Sequence, residues 1–487
     1  MCIKAVMMRI YSCAENADFY CCAFFSIERM MVMDSKIRQQ LLTKSPGRLM
    51  LQLGIPAVIG MTVIGLYPLM DGVFAGNIIG QRAMAACSVA IPLSFINSGI
   101  STLLGVGSAS ILSRALGKGD KKTVDMIMGN LVFWAVVLSV IVTLFGITFA
   151  PHFLDLVGAS GEIKELGVRY LRVLFLGSVF VNFTQSSNMV IRGEGHLKIA
   201  MGIMGAGAIL NIILDPIFMY AMGSRGIEGA AIATVLSQFV TAVASVYYYK
   251  KKSKVVKINH IGMKKDICGE MFAVGFSAML MQIMYLIQQS LMYKMAFKYG
   301  GTDNGILMAA TLRIFGFSFI PLWGLSQGMQ PVIGTNYGAK LYSRVKAGFK
   351  VFNLGALVLA GVFYIPVMLF SKQVLHMFGV ENDIIMAGLS HFRMLYSVFI
   401  AYGLMVTTVV FFQSVGDAKK AGMLVIFRQL IVFVPAIIFL PKAFGIDAVW
   451  FTQPSVDFAV TIIGGLLAAA TMKKFPRDAE MIQSSIE

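Results

Sequence analysis

The chain has 487 residues, of which 57% are hydrophobic and only 13% charged, and its mean hydropathy is +0.77. A soluble domain of this length carries about 25% charged residues, so the composition excludes that class and indicates a polytopic membrane protein. The formal net charge of +17 would suit a nucleic-acid partner. The positions of the basic residues instead favour a membrane topology, and we expect no nucleic-acid partner.

Twelve mostly apolar stretches are long enough to cross a bilayer, which takes about 20 residues. None of them alternates in hydropathy like the strand of a membrane barrel, so we predict an all-α fold. The stretches cover roughly residues 50–76, 84–113, 124–150, 165–190, 199–222, 228–249, 269–297, 305–334, 348–370, 386–413, 422–441 and 448–471.

Basic residues cluster in every second connection between these stretches. Examples are Arg114 to Lys122, Lys250 to Lys265, and Lys419 with Lys420. By the positive-inside rule, both termini are predicted to be cytoplasmic in a multi-pass protein of the cell membrane. The KKKSK run at 250–254 is predicted to touch anionic lipid headgroups, and we expect a monomer.

The segment 1–33 is predicted to be a disordered extension or a start-site artefact. It contains four of the six cysteines, without nearby histidine or zinc-like spacing, which favours a reduced tail over a metal site. It also lacks the basic region and apolar core of a signal peptide. Met33 begins a plausible start of its own.

The chain repeats itself at an offset of 221 residues. Seven glycines of the first half coincide with glycines of the second, where about two coincidences are expected by chance. The seven pairs are 54/275, 80/301, 107/328, 117/338, 158/379, 167/388 and 195/416.

Two copies of six helices keep the same orientation, because six is an even number of spans. We therefore predict twelve transmembrane helices in two six-helix bundles, related by a pseudo-two-fold axis along the membrane normal. The predicted first lobe is 34–249 and the second is 267–472. A cytoplasmic linker, 250–266, joins them, and a cytoplasmic tail, 473–487, follows.

Two acids fall inside apolar stretches of the first copy. Asp71 lies in the first predicted helix, and Asp215 lies in the fifth, four residues after Asn211, so that Asn211 and Asp215 share one helical face. A charge at the membrane centre costs roughly 3 kcal/mol even on the lenient insertion scale, so such acids usually have a function. The alternative is a carboxylate that caps a helix end before Pro216.

Other polar side chains extend this candidate site. Thr234, in the sixth helix, is placed to turn an oxygen toward Asp215 if the two helices pack together. The fourth helix is too polar to face lipid on all sides, and its Asn182, Gln185 and Asn188 are predicted to line a cavity between the lobes. Pro56 lies fifteen residues before Asp71 in the first helix, where it favours a bend.

The second copy lacks this polar set. Met292, Val432 and Ala436 stand where the first copy has Asp71, Asn211 and Asp215, which indicates a functional site in one lobe only. The seventh helix instead offers a candidate substrate surface: Gln282, Tyr285, Gln289 and Met292. A further acid, Asp457, enters the last helix, and an interfacial and an interior role both stay open.

These features resemble the multidrug and toxic compound extrusion (MATE) transporters over about residues 45–470. The resemblance is carried by Pro56 with Asp71, RGEG at 192–195, NIILDP at 211–216, GAAIAT at 229–234, and the repeated signatures ALGKGD and NYGAKL. It implies drug export driven by entry of sodium or protons. The missing acids of the seventh and tenth helices place the chain nearer the DinF-like branch than the NorM-like branch.

In the DinF-like branch the positions of Asp71, Asn211, Asp215 and Thr234 form the coupling site, and the first helix bends at Pro56. Such a site offers only oxygen ligands, which suit sodium and a shared proton equally. We expect no other cofactor. The flexible, polarisable methionines suit varied amphiphilic, cationic drugs as substrates.

Two other functions fit the sequence less well. A lipid-linked precursor flippase of the wider superfamily would need a basic central cavity, and no cluster of intramembrane lysine or arginine is evident. A membrane-embedded enzyme is disfavoured because the histidines fall in connections or near a helix start.

Overall fold

The computed structural model describes residues 38–74, 78–156, 161–259, 261–378 and 380–476. Within these ranges it leaves out the side chains of 66–73 and of most residues between 81 and 94. The described ranges contain helices and their connections and no strand. The predicted extension 1–33 lies outside them, as do residues 477–487 of the predicted tail.

The first six spans are separate helices, apart from one bent pair. Span 4 consists of two helices that meet at an angle of 57°. Spans 1, 2 and 3 are Pro46–Phe74, Gln81–Lys118 and Lys121–Leu156; span 4 is Gly161–Leu176 with Ser178–Gly193; spans 5 and 6 are Leu197–Ala221 and Gly226–Tyr247.

The second six spans include two long helical stretches, each of which is broken at a glycine between two spans. Lys265–Gly338 is broken into spans 7 and 8 at Gly301, and Val434–Lys473 is broken at Gly445, where span 12 follows span 11. Span 9 is Tyr342–Leu369, followed by the short helix Ser371–Met377; span 10 is Asn382–Tyr396 with Phe399–Val415; span 11 begins with Ala418–Ile426 and the π-helical turn Phe427–Phe433. The described helices thus confirm twelve spans.

Helix ends and turns repeat at the offset of 221 residues. Span 3 begins at Lys121 and span 9 at Tyr342, while span 5 begins at Leu197 and span 11 at Ala418. Left-handed turn residues repeat too: Gly195 and Gly416 have φ of 91° and 81°. Gly119, with φ of 77°, corresponds to Lys340, with φ of 60°. The predicted duplication is therefore present in the backbone.

Glycines of the repeat lie where the two lobes touch. A Cβ on Gly275 would lie 1.8 Å from the backbone oxygen of Leu103, and one on Gly107 would lie 2.1 Å from that of Met271. A Cβ on Gly117 or on Gly338 would likewise collide with the backbone of the opposite lobe. These glycines occur at equivalent positions in both lobes because each side of the interface needs the same close approach of the backbones.

Polar contacts join the lobes at the ends of the spans that carry the basic connections. Arg114, in span 2, pairs with Glu270 at the start of span 7 at 2.5 Å. Ser110 Oγ donates to the backbone oxygen of Gln413 at 2.5 Å. The lobes are therefore closed against each other at this end.

The linker between the lobes packs against the first lobe. Ser253 Oγ donates to the carboxylate of Glu194 at 2.9 Å, and Val255 and Val256 are buried. Further along, the backbone N–H of Lys264 donates to Asn130 Oδ1 at 2.9 Å, and span 7 starts at Lys265. The linker is therefore anchored to the first lobe over most of its length.

Candidate functional site

Asn211, Asp215 and Thr234 form one buried cluster between spans 5 and 6. Asn211 Nδ2 donates to Asp215 Oδ1 at 2.8 Å and lies 3.3 Å from Thr234 Oγ1. Their exposed fractions are 2%, 0% and 6%. The predicted meeting of these three side chains is observed. Thr234 reaches Asp215 through the amide of Asn211.

The cluster depends on an unbroken helix and on close packing of two helices. Span 5 continues through Pro216 to Ala221, so Asp215 lies inside a helix and not at a capped end. Gly229 of span 6 has no room for a side chain, since a Cβ there would lie 2.5 Å from the backbone oxygen of Phe218. This close approach of span 6 brings Thr234 within reach of Asn211.

The cluster offers oxygen atoms to a cation. Within the described residues, Asn211 Oδ1 has no hydrogen-bond partner, although it is fully buried. An amide oxygen, a carboxylate and a hydroxyl are hard ligands suited to sodium, and a carboxylate alone is enough to hold a proton. A buried, unsatisfied acceptor is costly, so a bound cation or proton would stabilise the cluster.

Asp71 belongs to the helix of span 1, but its side chain lies outside the described part of the structure. Span 1 packs on span 5 at Gly60, where a Cβ would lie 2.4 Å from Met201 Sδ. From that contact, Asp71 is about 16 Å along its helix and Asn211 about 15 Å along its own, at 1.5 Å per residue. The backbone register thus brings Asp71 to the level of the cluster. Pro56 is half-buried within the same continuous helix.

The polar residues of span 4 bond to neighbouring helices. Asn182 Nδ2 donates to Ser139 Oγ at 2.9 Å, and Ser101 Oγ donates to Asn182 Oδ1 at 3.0 Å. Asn188 Nδ2 donates to the backbone oxygen of Ala200 at 2.7 Å, while Gln185 is half-buried. Asn182 and Asn188 therefore have packing roles inside the first lobe, and a cavity-lining role for this helix stays a prediction.

Span 7 places its polar residues on one side. Gln289 Nε2 donates to the hydroxyl of Tyr285 at 2.7 Å, and the Tyr285 ring stacks near Phe319 with centroids 6.5 Å apart. Gln282 is half-buried, whereas Met292 is fully buried in the core of the second lobe. A separate, largely apolar cavity in this lobe is lined by Met281, Met284, Met405, Thr408, Val409, Leu424, Val425, Arg428, Val460 and Gly464.

The second lobe has a buried ion pair that was not among the residues predicted from the sequence. Arg428 Nε donates to Asp457 Oδ1 at 2.6 Å, and the two residues are 7% and 1% exposed. Asp457 thus has the interior role. Asp457 had no predicted partner, and Arg428 lies within the eleventh apolar stretch. Two opposite charges in neighbouring apolar stretches are a signal from which the pair was predictable.

Comparison with known proteins agrees with this architecture. The MatE family model matches the chain twice, over residues 56–217 and 276–438, once in each lobe. The multidrug export protein MepA of Staphylococcus aureus (strain MSSA476) is 26% identical over 412 residues, which are 83% of this chain and 90% of that protein.

Solved structures resemble the whole membrane region. A transporter of the MOP superfamily from Pyrococcus furiosus, described as having a binding pocket of reverse polarity, superposes with a TM-score of 0.84 at 27% identity. A multidrug resistance MATE transporter in an outward-facing conformation gives a TM-score of 0.83 at 28% identity. Each match covers 90% of this chain and 98% of the other. The chain therefore belongs to the MatE family of membrane transporters and is not an enzyme.

Proposed function

We propose that this protein exports amphiphilic, cationic drugs from the cell in exchange for protons or sodium ions. The printed function of its MepA relative, multidrug export, supports the export of drugs. The observation that supports coupling of export to cation entry is the buried cluster of Asn211, Asp215 and Thr234. Asp71 completes this coupling site, and Pro56 is the point at which span 1 bends when the site changes occupancy.

The membrane potential and the ion gradient drive the export. One monovalent charge that crosses the membrane releases about 2.3 kcal/mol per 100 mV, which supports nearly two decades of drug concentration ratio. A site inside the membrane couples this energy to a conformational change only when it binds the ion more tightly in one conformation. A carboxylate helps to make the ion affinity differ between conformations, because the surroundings of the carboxylate change when the lobes move.

The closed end of the molecule supports an outward-facing state. The lobes meet at the end that carries the basic connections, which the positive-inside rule assigns to the cytoplasm. Both termini then lie in the cytoplasm, and the protein acts as a monomer in the cell membrane. The exposed Lys250, Lys251 and Lys252 lie at the same end, where they contact anionic lipids.

The chain fits the DinF-like branch, because span 10 carries no acid between Met386 and Gln413 and span 7 has glutamines on its polar side. A lipid-linked precursor flippase is less favoured. The buried arginine of the second lobe is paired with Asp457 and adds no net positive charge for a polyanionic substrate.

The test is transport in proteoliposomes with an imposed sodium or proton gradient and a fluorescent cationic dye. Asp215→Asn and Thr234→Ala should abolish or strongly reduce gradient-driven dye export. The matched control is Ser455→Ala, because Ser455 is the counterpart of Thr234 in the second lobe. Equal export by Asp215→Asn and the unmodified protein would reject the coupling site, and absence of export under both gradients would reject cation-coupled drug export.

A further inference from the structure

The guanidinium of Arg428 is held as a bound cation would be held. Besides the bond to Asp457, Arg428 Nη2 donates to Gln288 Oε1 at 2.9 Å and Nη1 donates to Gln429 Oε1 at 3.2 Å. The guanidinium carbon lies 5.3 Å from the ring centre of Tyr402. Three oxygen acceptors and an aromatic face therefore surround one positive charge inside the second lobe.

This arrangement uses the helices that correspond to those of the first-lobe site. Spans 7, 11 and 12 are the counterparts of spans 1, 5 and 6. Gln288 lies four residues before Met292, the counterpart of Asp71, and Arg428 lies four residues before Val432, the counterpart of Asn211. Asp457 lies two residues after Ser455, the counterpart of Thr234.

All three displacements have the same direction. Spans 7 and 11 run away from the basic end and span 12 runs back toward it, so earlier residues in the first two and later residues in the third lie nearer that end. Four residues correspond to about 6 Å and two residues to about 3 Å. The second-lobe network is thus a related pocket, shifted by up to one helical turn.

Stability alone gives little reason for this pair. Burial of two charges costs several kcal/mol per ion, and apolar side chains of similar volume often pack as well or better. The polar groups around the pair are also not all hydrogen-bonded. Within the described residues, Gln429 Nε2 and Gln453 Oε1 are buried without a hydrogen-bond partner. A polar pocket with spare donor and acceptor groups is more typical of a binding site than of a packed core.

We propose that the second lobe contains a latent site for a monovalent cation, a proton or sodium, which the guanidinium of Arg428 permanently occupies. Asp457 supplies the charge, and the amide oxygens of Gln288 and Gln429 supply the remaining ligands. The tethered cation keeps this lobe from binding a soluble ion. The coupling ion then binds in the first lobe only, a consequence that rests on the proposed function.

The phenols of Tyr402 in span 10 and Tyr285 in span 7 are the other ionisable side chains that interact with the pair among the residues that the structure describes. Phenols have ordinary pKa values near 10 and stay neutral at about pH 5–8. Within that range, a new dependence on pH that arises when Arg428 is replaced, and disappears when Asp457 is also replaced, therefore reports on the Asp457 carboxylate.

The experiment measures thermal unfolding of the purified full-length protein in detergent. Arg428→Met, Asp457→Asn and the double variant are compared with the unmodified protein over about pH 5–8. Each is measured in sodium chloride and in choline chloride at equal ionic strength. All four proteins share any response of the first-lobe site, and we expect Arg428→Met alone to gain additional stability with sodium or with acid, because its Asp457 carboxylate lacks a cation. An additional response to sodium identifies a sodium site, and an additional response to acid alone identifies a proton site.

Arg428→Gln replaces Arg428→Met if the latter does not fold, since it keeps an amide donor for Gln288. Identical sodium and pH responses in all variants would overturn the proposal. It would also be overturned if both single Arg428 variants failed to fold even in high sodium and at low pH while the double variant folded, because no soluble cation would then replace the guanidinium. None of these measurements uses transport, so they are independent of the test of coupled export.

Discussion

Gly275, in the second lobe, lies so close to Leu103, in the first, that a Cβ on the glycine would be 1.8 Å from the backbone oxygen of the leucine. A backbone oxygen moves only with its helix, so Gly275→Ala must separate the lobes at this contact. Overpacking of this kind costs about 1–3 kcal/mol. The ratio of closed to open molecules at this end should fall about 5- to 150-fold.

The measurement for Gly275→Ala is a distance probe between spans 2 and 7, together with dye export. Gly269→Ala is the matched control, because it lies on the same helix closer to its start and nothing lies within 4 Å of its added Cβ. Closure and export that match those of the control would show that this contact is not needed for the closed state.

Asp71→Asn should abolish coupled export without preventing folding. The amide has nearly the shape of the neutral acid, so the variant should hold span 1 in the conformation of the protonated or ion-loaded site. The measurement combines gradient-driven efflux with a distance probe between spans 1 and 5. Normal efflux by the variant would remove Asp71 from the mechanism.

Pro56→Ala should slow export and largely preserve ion binding. Proline lacks an N–H, so it leaves the carbonyl of Gln52 without its usual helical partner and makes the helix easy to bend. The bend lies about 22 Å from Asp71 along the helix, too far to alter the site directly. Export rates and ion-dependent thermal stability should be compared, and a loss of ion binding would contradict the separation of the two roles.

Gln289→Ala should change the preference among drugs while coupled turnover persists. Its amide donates to the hydroxyl of Tyr285, which it orients on the polar side of span 7. Gln282→Ala tests the same surface, and Tyr285→Phe removes the hydroxyl alone. The measurement is the ratio of export rates for several cationic dyes. Loss of coupling for every dye would mean that the ion site has been assigned to the wrong lobe.

Glu194→Gln should loosen the linker. The buried carboxylate accepts hydrogen bonds from Tyr248 and Ser253, which join the connection after span 4 to the end of span 6. Bonds to a charged acceptor contribute about 1.5–3 kcal/mol each, and a neutral amide retains only part of this. Trypsin should cleave the lysine-rich linker faster. The exposed Glu165→Gln serves as control, and equal cleavage rates would exclude an anchoring role.

Much of the architecture followed from the sequence because the bilayer permits few solutions. Backbone groups inside a membrane must be paired within each helix, so apolar stretches of sufficient length predict the twelve spans. The offset of 221 residues predicts the two lobes, and the spacing of Asn211 and Asp215 puts both on one helical face. These features are local or periodic, and composition and spacing are enough to reveal them.

Contacts between helices were decided only by the tertiary structure. Arg428 and Asp457 are 29 residues apart, and they meet because particular faces of spans 11 and 12 pack together. The repeated glycines were visible as a pattern, but only the packing places them where one lobe approaches the backbone of the other. The hydrogen bonds of Asn182 to Ser101 and Ser139 were likewise not evident from the sequence. The rotation of each helix about its axis selects such partners, and it depends on the packing of all neighbouring helices together.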